Sequence, residues 1–247
     1  DPNTEYKSIK RKTIMKLLYP LADGLVLQTE DAKKYFEKII KNENKMIVIP
    51  NPINEKFITN KPYEGKREKT IVNVGRLEKQ KNQKLLIEAF SEISKKYKDY
   101  KLQIYGSGRL LEELKEHARK NEVEDKVYFM GQVNDIENKI YKSKIFVLSS
   151  DYEGMPNSLM EAMALGIPSI STDCPCGGSK MLIQNEQNGL LVNTNDKKEL
   201  INAINRIIED EELALKISKN SYKIKEKRKF FIFREKNVFQ APKNSKL

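Results

Sequence analysis

Four side chains in this 247-residue sequence have types and spacing suited to a charged, hydroxylated ligand: Arg76, Lys81, Glu153 and Glu161. An ionised glutamate accepts hydrogen bonds through both oxygens and can hold two neighbouring hydroxyls. A planar guanidinium grips a diphosphate through paired N–H donors, and a lysine ammonium adds a mobile point charge. Between the two glutamates, Pro156 and Asn157 open a helical run through Ser158, Leu159, Met160, Glu161, Ala162 and Met163. The first N–H groups of such a helix lack intrahelical partners and attract phosphate. Together these groups would neutralise a departing nucleoside diphosphate. A purely local role fits too: Ser158 to Glu161 reads as an S-x-x-E capping box. Arg76 and Lys81 are two of 46 basic residues, a type that mostly decorates solvated surface.

The elements that must position these groups follow from hydrophobic periodicity. From residue 71 onward, short β-branched apolar runs alternate with helical patterns, which is how successive βαβ units around a parallel sheet are written. Strands are expected at 71–74, 101–105, 127–130, 145–148, 168–171 and 190–192. The fold class is therefore α/β, a Rossmann-like doubly wound parallel sheet. In a sheet of order 3-2-1-4-5-6, ligands bind outside the C-terminal ends of the first and fourth strands, where the order reverses. The first strand runs into Gly75 and Arg76, with Lys81 at the start of the next helix. The fourth runs into Ser149, Ser150, Asp151, Tyr152, Glu153 and Gly154. The most polar, glycine-bearing loops thus fall on the expected crevice. Gly106-Ser107-Gly108 follows the second strand, not the first, and Leu111 occupies the third glycine position of a dinucleotide fingerprint.

The first fifty residues differ. A basic helical stretch leads to a strand at 24–28, a helix near 31–41 and a strand at 46–49, a βαβ fragment without a beginning. Pro50-Asn51-Pro52 restricts the backbone and reads as a linker. Residues 1–52 are expected to be the remnant of an N-terminal domain with its linker, 53–225 the ligand-binding domain, and 226–247 a divergent basic tail.

A net charge of +11 points to an anionic partner, which includes nucleic acid, phosphorylated ligands and anionic membranes. Lys and Arg are scattered among 35 acidic residues without zinc-finger spacing or an RNA-recognition aromatic pattern, so nucleic acid is not expected. No apolar run approaches the roughly 20 residues of a membrane span, and no signal peptide opens the chain; a cytoplasmic protein is expected. Cys174 and Cys176, one residue apart, suit neither a disulfide nor a closed zinc site and are read as reduced thiols. His117, the only histidine, lies among Glu113, Lys115, Glu116 and Arg119 and is expected on a charged surface. A histidine-dependent hydrolase or a His-ligated metal is correspondingly disfavoured.

Several segments recur in a recognisable order: Ala22-Asp23-Gly24, Val48-Ile49-Pro50-Asn51-Pro52, Asn73-Val74-Gly75-Arg76-Leu77 with Lys81, and Tyr105-Gly106-Ser107-Gly108. Val127-Tyr128-Phe129-Met130-Gly131-Gln132-Val133 follows, then the E-x7-E run from Glu153 through Glu161 to Ala164, and Asn188-Gly189-Leu190-Leu191-Val192. In this order they resemble glycosyltransferase family 4, retaining enzymes of the GT-B fold, in which two Rossmann-like domains face each other across a donor-binding cleft. The resemblance implies a GT-B C-terminal donor domain, preceded by an N-terminal acceptor domain that is mostly missing here. It implies a catalytic set of Arg76 and Lys81 on the donor diphosphate and Glu153 on the transferred sugar. Glu161 would bind the ribose, the backbone around Met155, Pro156, Asn157 and Ser158 would line the sugar-phosphate pocket, and Gly131 to Val133 would border the base. Gly75, Gly106, Gly108 and Gly154 join that donor-binding surface.

The implied reaction moves a hexose or N-acetylhexosamine from a nucleotide-sugar to a glycan or lipid-linked acceptor with retained configuration, using no cofactor and no essential metal. The Asp173-Cys174-Pro175-Cys176-Gly177-Gly178 loop resembles members that build bacterial polysaccharides or lipid-linked oligosaccharides, often from UDP-sugars. Ser179, Met181 and Glu186 stand where Pro, Glu and Gly are expected. After Lys225 the family's returning helix gives way to Glu226-Lys227-Arg228-Lys229-Phe230-Phe231-Ile232-Phe233-Arg234. That tail reads either as a shifted frame or truncation, or as a basic aromatic segment resting on the inner membrane face. Two further readings stand beside transfer: a non-catalytic nucleotide-sugar-binding fragment, and a GT-B sugar-nucleotide epimerase needing an extra acid/base set not found in the sequence.

Overall fold

The computed structural model describes residues 9–59 and 61–226. Near the N-terminus, β1 (Leu25–Leu27) and β2 (Met46–Val48) pair in parallel, accompanied by α1 (Ile9–Leu18) and α2 (Glu30–Glu37). Their own small core is Met15, Leu27, Phe36, Ile40 and Met46. Thr29 opens α2, its hydroxyl accepting the Ala32 N–H at 3.1 Å, the cap its residue type favours. The helix ends at Glu37, earlier than the expected 41, because the chain turns at Lys38 to bring Ile40 into the core with Phe36.

The main sheet has six parallel strands: β3 (Glu68–Val74), β4 (Lys101–Tyr105), β5 (Val127–Gly131), β6 (Ser143–Leu148), β7 (Ser169–Thr172) and β8 (Leu190–Val192). Their spatial order is β5-β4-β3-β6-β7-β8, which is the expected 3-2-1-4-5-6 pattern, so the order reverses between β3 and β6. β3 and β6 begin before their apolar runs because Glu68 and Ser143, polar at the strand entrances, already pair. β7 starts one residue after Pro168, whose carbonyl still accepts the Phe146 N–H.

Successive residues of the central strands feed opposite layers, as the two-residue period of a strand requires. Ile71, Ile145 and Val147 pack with α3 (Gln83–Lys96), α4 (Leu111–Lys120), α8 (Lys197–Glu209) and α9 (Glu211–Tyr222). Val72, Phe146 and Leu148 pack against α5 (Ile136–Ile140) and α6 (Asn157–Ala164), with α7 (Gly178–Leu182) alongside. Ile71, Val72 and Phe146 are fully buried, and truncating such a phenylalanine to alanine costs about 3–5 kcal/mol. The edge strand β5 shows the other pattern: Val127 is buried, while Tyr128 and Met130 are exposed. The doubly wound α/β architecture expected from the alternation of runs is the one observed.

Two polar links join the small N-terminal unit to the main domain. Gln28 Nε2 donates to Asn51 Oδ1 at 2.7 Å, and Asn51 Nδ2 donates to Asn157 Oδ1 at 2.8 Å, at the start of α6. The linker containing Pro50 and Pro52 therefore runs beside the crevice where β3 and β6 end. Among the described residues no helix is long and apolar enough to cross a membrane. The expected basic tail lies outside the described residues from Lys227 onward.

Candidate functional site

The crevice is built first from main chain. Gly106 has φ +128, and a Cβ there would stand 2.1 Å from the Gly75 carbonyl oxygen. A Cβ on Gly108 would meet the Leu77 carbonyl oxygen at 2.4 Å. Only glycine allows the loops after β3 and β4 to lie this close. Backbone bonds then hold them, Gly75 N–H donating to Tyr105 O at 2.9 Å and Leu77 N–H to Ser107 O at 3.0 Å. Gly106 N–H donates to Gly131 O at 2.8 Å, which brings the end of β5 to the same rim. Gly131 has φ +69 with open space around it, and Val133 beyond it packs on the α5–α6 layer. On the other wall, a Cβ on Gly178 would lie 1.7 Å from the Gly154 carbonyl oxygen, so α7 abuts the β6 loop directly.

Within this frame the turn Lys79–Lys81 is stitched to the loop after β6. Ser149 Oγ donates to Lys81 O at 3.0 Å, Asp151 N–H to Gln80 O at 2.9 Å, and Gln80 Nε2 to Tyr152 O at 2.8 Å. Asn82, held left-handed at φ 44, donates to Asp151 Oδ1 at 2.8 Å and opens α3. These contacts deliver Lys81 Nζ to 2.5 Å from Glu153 Oε1, with the two side chains only 14% and 7% exposed. Ser150 Oγ also donates to Oε1, at 2.6 Å, whereas among the described residues Oε2 has only Gln80 Nε2 at 3.4 Å. Glu153 is thus a buried carboxylate with one oxygen fully occupied and the other open to a further donor. Lys81 carries three N–H donors, so pairing with Glu153 leaves capacity for another acceptor. Arg76 is exposed at the mouth, and its guanidinium has no partner among the described residues.

Helix α6 begins differently from the capping-box alternative. Pro156 occupies the cap position with no side-chain cap, and its carbonyl accepts the N–H groups of Leu159 and Met160. Ser158 therefore lies inside the first turn, and Glu161, a turn further on, caps nothing. The N–H groups of Asn157 and Ser158 are left for a ligand or water. Met155 and Pro156 are buried, Met155 in the α5–α6 layer, so this segment presents its main chain to the crevice; Gly154 and Asn157 are exposed. The Glu161 carboxyl is pushed up to about 7, first by burial and then by the charge of Glu137. Glu137, in α5, has a buried Oε2 without a hydrogen-bond partner.

The structure gathers Gly75, Arg76, Lys81, Gly106, Gly108, Gly131, Glu153, Gly154 and the start of α6 at one end of the sheet, and sets Glu161 and Val133 on its α5–α6 side. It adds Gln80, Ser150 and Glu137, which residue type alone did not single out. Their signal was position, on the two reversal-point loops and just beyond Val133. His117 is corrected: it is half-buried, with Nε2 3.0 Å from Glu88 Oε1 of α3, because α3 and α4 pack side by side and cover it. Neither Cys174 nor Cys176 is in a disulfide. Burial, with Glu153 adding to it, pushes the Cys174 thiol up to about 11, which leaves it a poor nucleophile. Among the described residues no group of three or more His, Cys, Asp or Glu side chains converges on a metal position.

Comparison with known proteins bears on the fold and the family. A family model described as "Glycosyl transferases group 1" matches residues 54–224. A protein of Haemophilus influenzae, named only as a glycosyltransferase, is 35% identical over 199 residues, which is 81% of this chain and 55% of the relative. The N-acetylgalactosamine-N,N'-diacetylbacillosaminyl-diphospho-undecaprenol 4-alpha-N-acetylgalactosaminyltransferase of Campylobacter jejuni is 31% identical over 228 residues, 90% of this chain and 60% of that protein. The Anabaena protein HepE, solved in complex with UDP, shares the fold at a TM-score of 0.84 and 20% identity, covering 96% of this chain and 68% of that one. The chain spans about half the length of the curated relatives it matches. The expected GT-B type of Rossmann-like domain is therefore met, and by sequence and architecture alike the chain belongs to the group 1 glycosyl transferases.

Proposed function

We propose that the crevice binds a nucleotide-sugar, a UDP-sugar, and that the whole protein transfers its hexose or N-acetylhexosamine to a glycan or lipid-linked acceptor with retained configuration. The observation that carries this is the meeting, at the strand-order reversal, of an unpartnered guanidinium with the buried Lys81–Glu153 pair. In the proposed mechanism Arg76, Lys81 and the N–H groups at the start of α6 receive the diphosphate. Negative charge grows on the leaving phosphate as the glycosidic bond breaks. Donors already fixed in place stabilise that charge more than the ground state, which lowers the barrier. Glu153 keeps Oε2 for a hydroxyl of the sugar and holds Lys81 in position through Oε1. Glu161 receives the ribose, and Gly131 to Val133 border the base.

The diphospho-undecaprenol in the name of the Campylobacter jejuni relative supports a lipid-linked acceptor for this chain. Residues 53–225 act as the donor domain, and the β1–β2 unit belongs to the acceptor side.

Calorimetric titration with UDP, GDP and ADP tests the site. UDP is expected to bind, and Arg76→Ala to weaken it roughly ten- to a hundredfold, the range for losing hydrogen bonds to a charged group. Failure of all three nucleotides to bind would reject the site.

A further inference from the structure

β7 is an interior strand of the sheet, flanked by β6 and β8, and all four of its residues are buried. Strands so placed are ordinarily written in Val, Ile and Leu, yet β7 reads Ser169-Ile170-Ser171-Thr172. A buried hydroxyl is costly unless it is hydrogen-bonded, so each of these needs a partner. Ser169 turns back on its own chain, donating to Ile167 O at 2.8 Å. The other two reach across to neighbouring segments. Ser171 Oγ donates to Ser179 Oγ of α7 at 2.8 Å, and Thr172 Oγ1 donates to Ser150 O, in the loop after β6, at 2.5 Å. The buried Cys174 thiol is hydrogen-bonded to the side chains of both Thr172 and Ser179 and links them. Ser150 donates in turn to Glu153 Oε1. Ser150, Ser171, Thr172 and Ser179 are fully buried, so this ladder of hydroxyls runs from α7 to Glu153 out of contact with solvent. Buried polar networks whose members are all paired hold their groups rigidly.

We propose that Thr172 is a positioning residue for Glu153: its hydroxyl fixes the Ser150 main chain, Ser150 fixes Oε1, and Oε2 is thereby aimed at the sugar. Its role rests on the nucleotide-sugar site proposed above. Lys81 by itself leaves Glu153 free to pivot, because an ammonium is a point charge on a flexible stem. The Ser150 hydroxyl instead comes from main chain clamped by the neighbouring strand. Cys174 and Ser179 back that clamp from the α7 side, and the proline expected at 179 would bring no hydroxyl to it. The consequence is that sugar reading is set partly by β7, a strand that meets no ligand.

The test is calorimetric titration of UDP, UDP-glucose, UDP-galactose, UDP-N-acetylglucosamine and UDP-N-acetylgalactosamine into the wild type, Thr172→Val, Thr172→Ser, Glu153→Ala and the double variant of Thr172→Val with Glu153→Ala. Circular dichroism checks folding. The readout is the ratio of UDP-sugar to UDP affinity, in which effects on the nucleotide cancel. Glu153→Ala is expected to lower that ratio roughly tenfold for at least one sugar, one lost hydrogen bond to a charged acceptor. For the same sugar Thr172→Val, which keeps the shape and loses the hydroxyl, should lower it about three- to fivefold, while Thr172→Ser should stay within about twofold of the wild type. In the Glu153→Ala background Thr172→Val should change the ratio no further. Should Thr172→Val fail to fold, Thr172→Ala, which deletes the hydroxyl without putting a methyl in its place, is held to the same expectation. An unchanged ratio in the Thr172 variants with only the melting temperature lowered, or a drop that persists in the Glu153→Ala background, overturns the role of Thr172 and leaves the donor site standing. A ratio that Glu153→Ala leaves unchanged for every sugar overturns it too, with the nucleotide site intact. A wild type that binds no UDP overturns both.

Discussion

Glu161 makes the sharpest stability prediction, through the change Glu161→Gln. In an unfolded chain this carboxyl loses its proton near 4.5, and in the fold near 7, because burial and then Glu137 oppose its charge. Between those values the folded state holds a proton that the unfolded state has released. Stability is therefore full below pH 4.5 and falls as pH rises through 7. Fully expressed, the separation amounts to about 3 kcal/mol; with part of the side chain in contact with solvent, we expect about 1–2 kcal/mol. Glutamine has the same shape and never ionises. At pH 5 the variant and the wild type should be close in stability, and by pH 8 Glu161→Gln should be more stable by about 1–2 kcal/mol. Urea unfolding at half-unit pH steps measures this, and thermal melts should show a gap of about 2–4 °C per kcal/mol for a domain of this size. Comparing variant with wild type cancels the titrating groups that are not coupled to Glu161. Parallel stability curves from pH 5 to 8 would refute the assignment of a donor-starved, buried carboxyl at this position.

Other perturbations probe the frame and the ion pair. Lys81→Met should destabilise by about 3–5 kcal/mol by leaving Glu153 buried without its counter-charge. Adding Glu153→Leu should restore much of that loss, and a double-mutant cycle in urea would expose additive losses if the two side chains were independent. Gly106→Ala should cost about 2 kcal/mol or more, since strain at φ +128 is joined by a collision with the Gly75 carbonyl. Gly131→Ala, at φ +69 but in open space, should cost only about 1 kcal/mol, and equal melting temperatures for the pair would contradict that distinction. Glu186 sits at φ 61 and pairs with Arg206 through half-exposed side chains. Glu186→Gly should stabilise by up to about 1 kcal/mol, because the left-handed strain outweighs an exposed ion pair, and a lower melting point would reverse that ranking.

How far the site was legible follows from the physics of each part. β3 and β6 could be read directly because a strand buried on both faces is written as an apolar run, and only their polar entrances, from Glu68 and Ser143, went unseen; β4 was legible from the alternation of Leu102 and Ile104 with Lys101 and Gln103. The alternation of runs then supplied the strand order, and the order alone directed Arg76, Lys81 and Glu153 to one crevice. The pairing of Lys81 with Glu153 was not legible. It spans 72 positions and depends on how Ser149, Asp151 and Gln80 stitch two loops together, a tertiary event with no local trace. Glu161 was misread as a candidate cap because Ser158 has the right spacing. The helix instead starts two residues earlier, with Pro156 in the cap position. Glu137 carried only its position just beyond Val133, since its residue type did not mark it: an acidic residue in a first helical turn ordinarily serves the helix dipole and faces water. Glu186 was noticed as an odd residue where glycine was expected, and the left-handed backbone there explains why.

Three glycines that touch main chain, Gly106 on Gly75, Gly108 on Leu77 and Gly178 on Gly154, have a consequence for how this crevice can change. Distances between its walls are set where backbone rests on backbone, with no side chain interposed. A substitution at a side chain that ties neither wall to the other, such as the exposed Arg76, leaves those distances as they were. The cleft can thus exchange one set of ligand-reading side chains for another while its gauge stays constant, and a different sugar or base is accommodated by refitting the lining inside a casing of fixed bore.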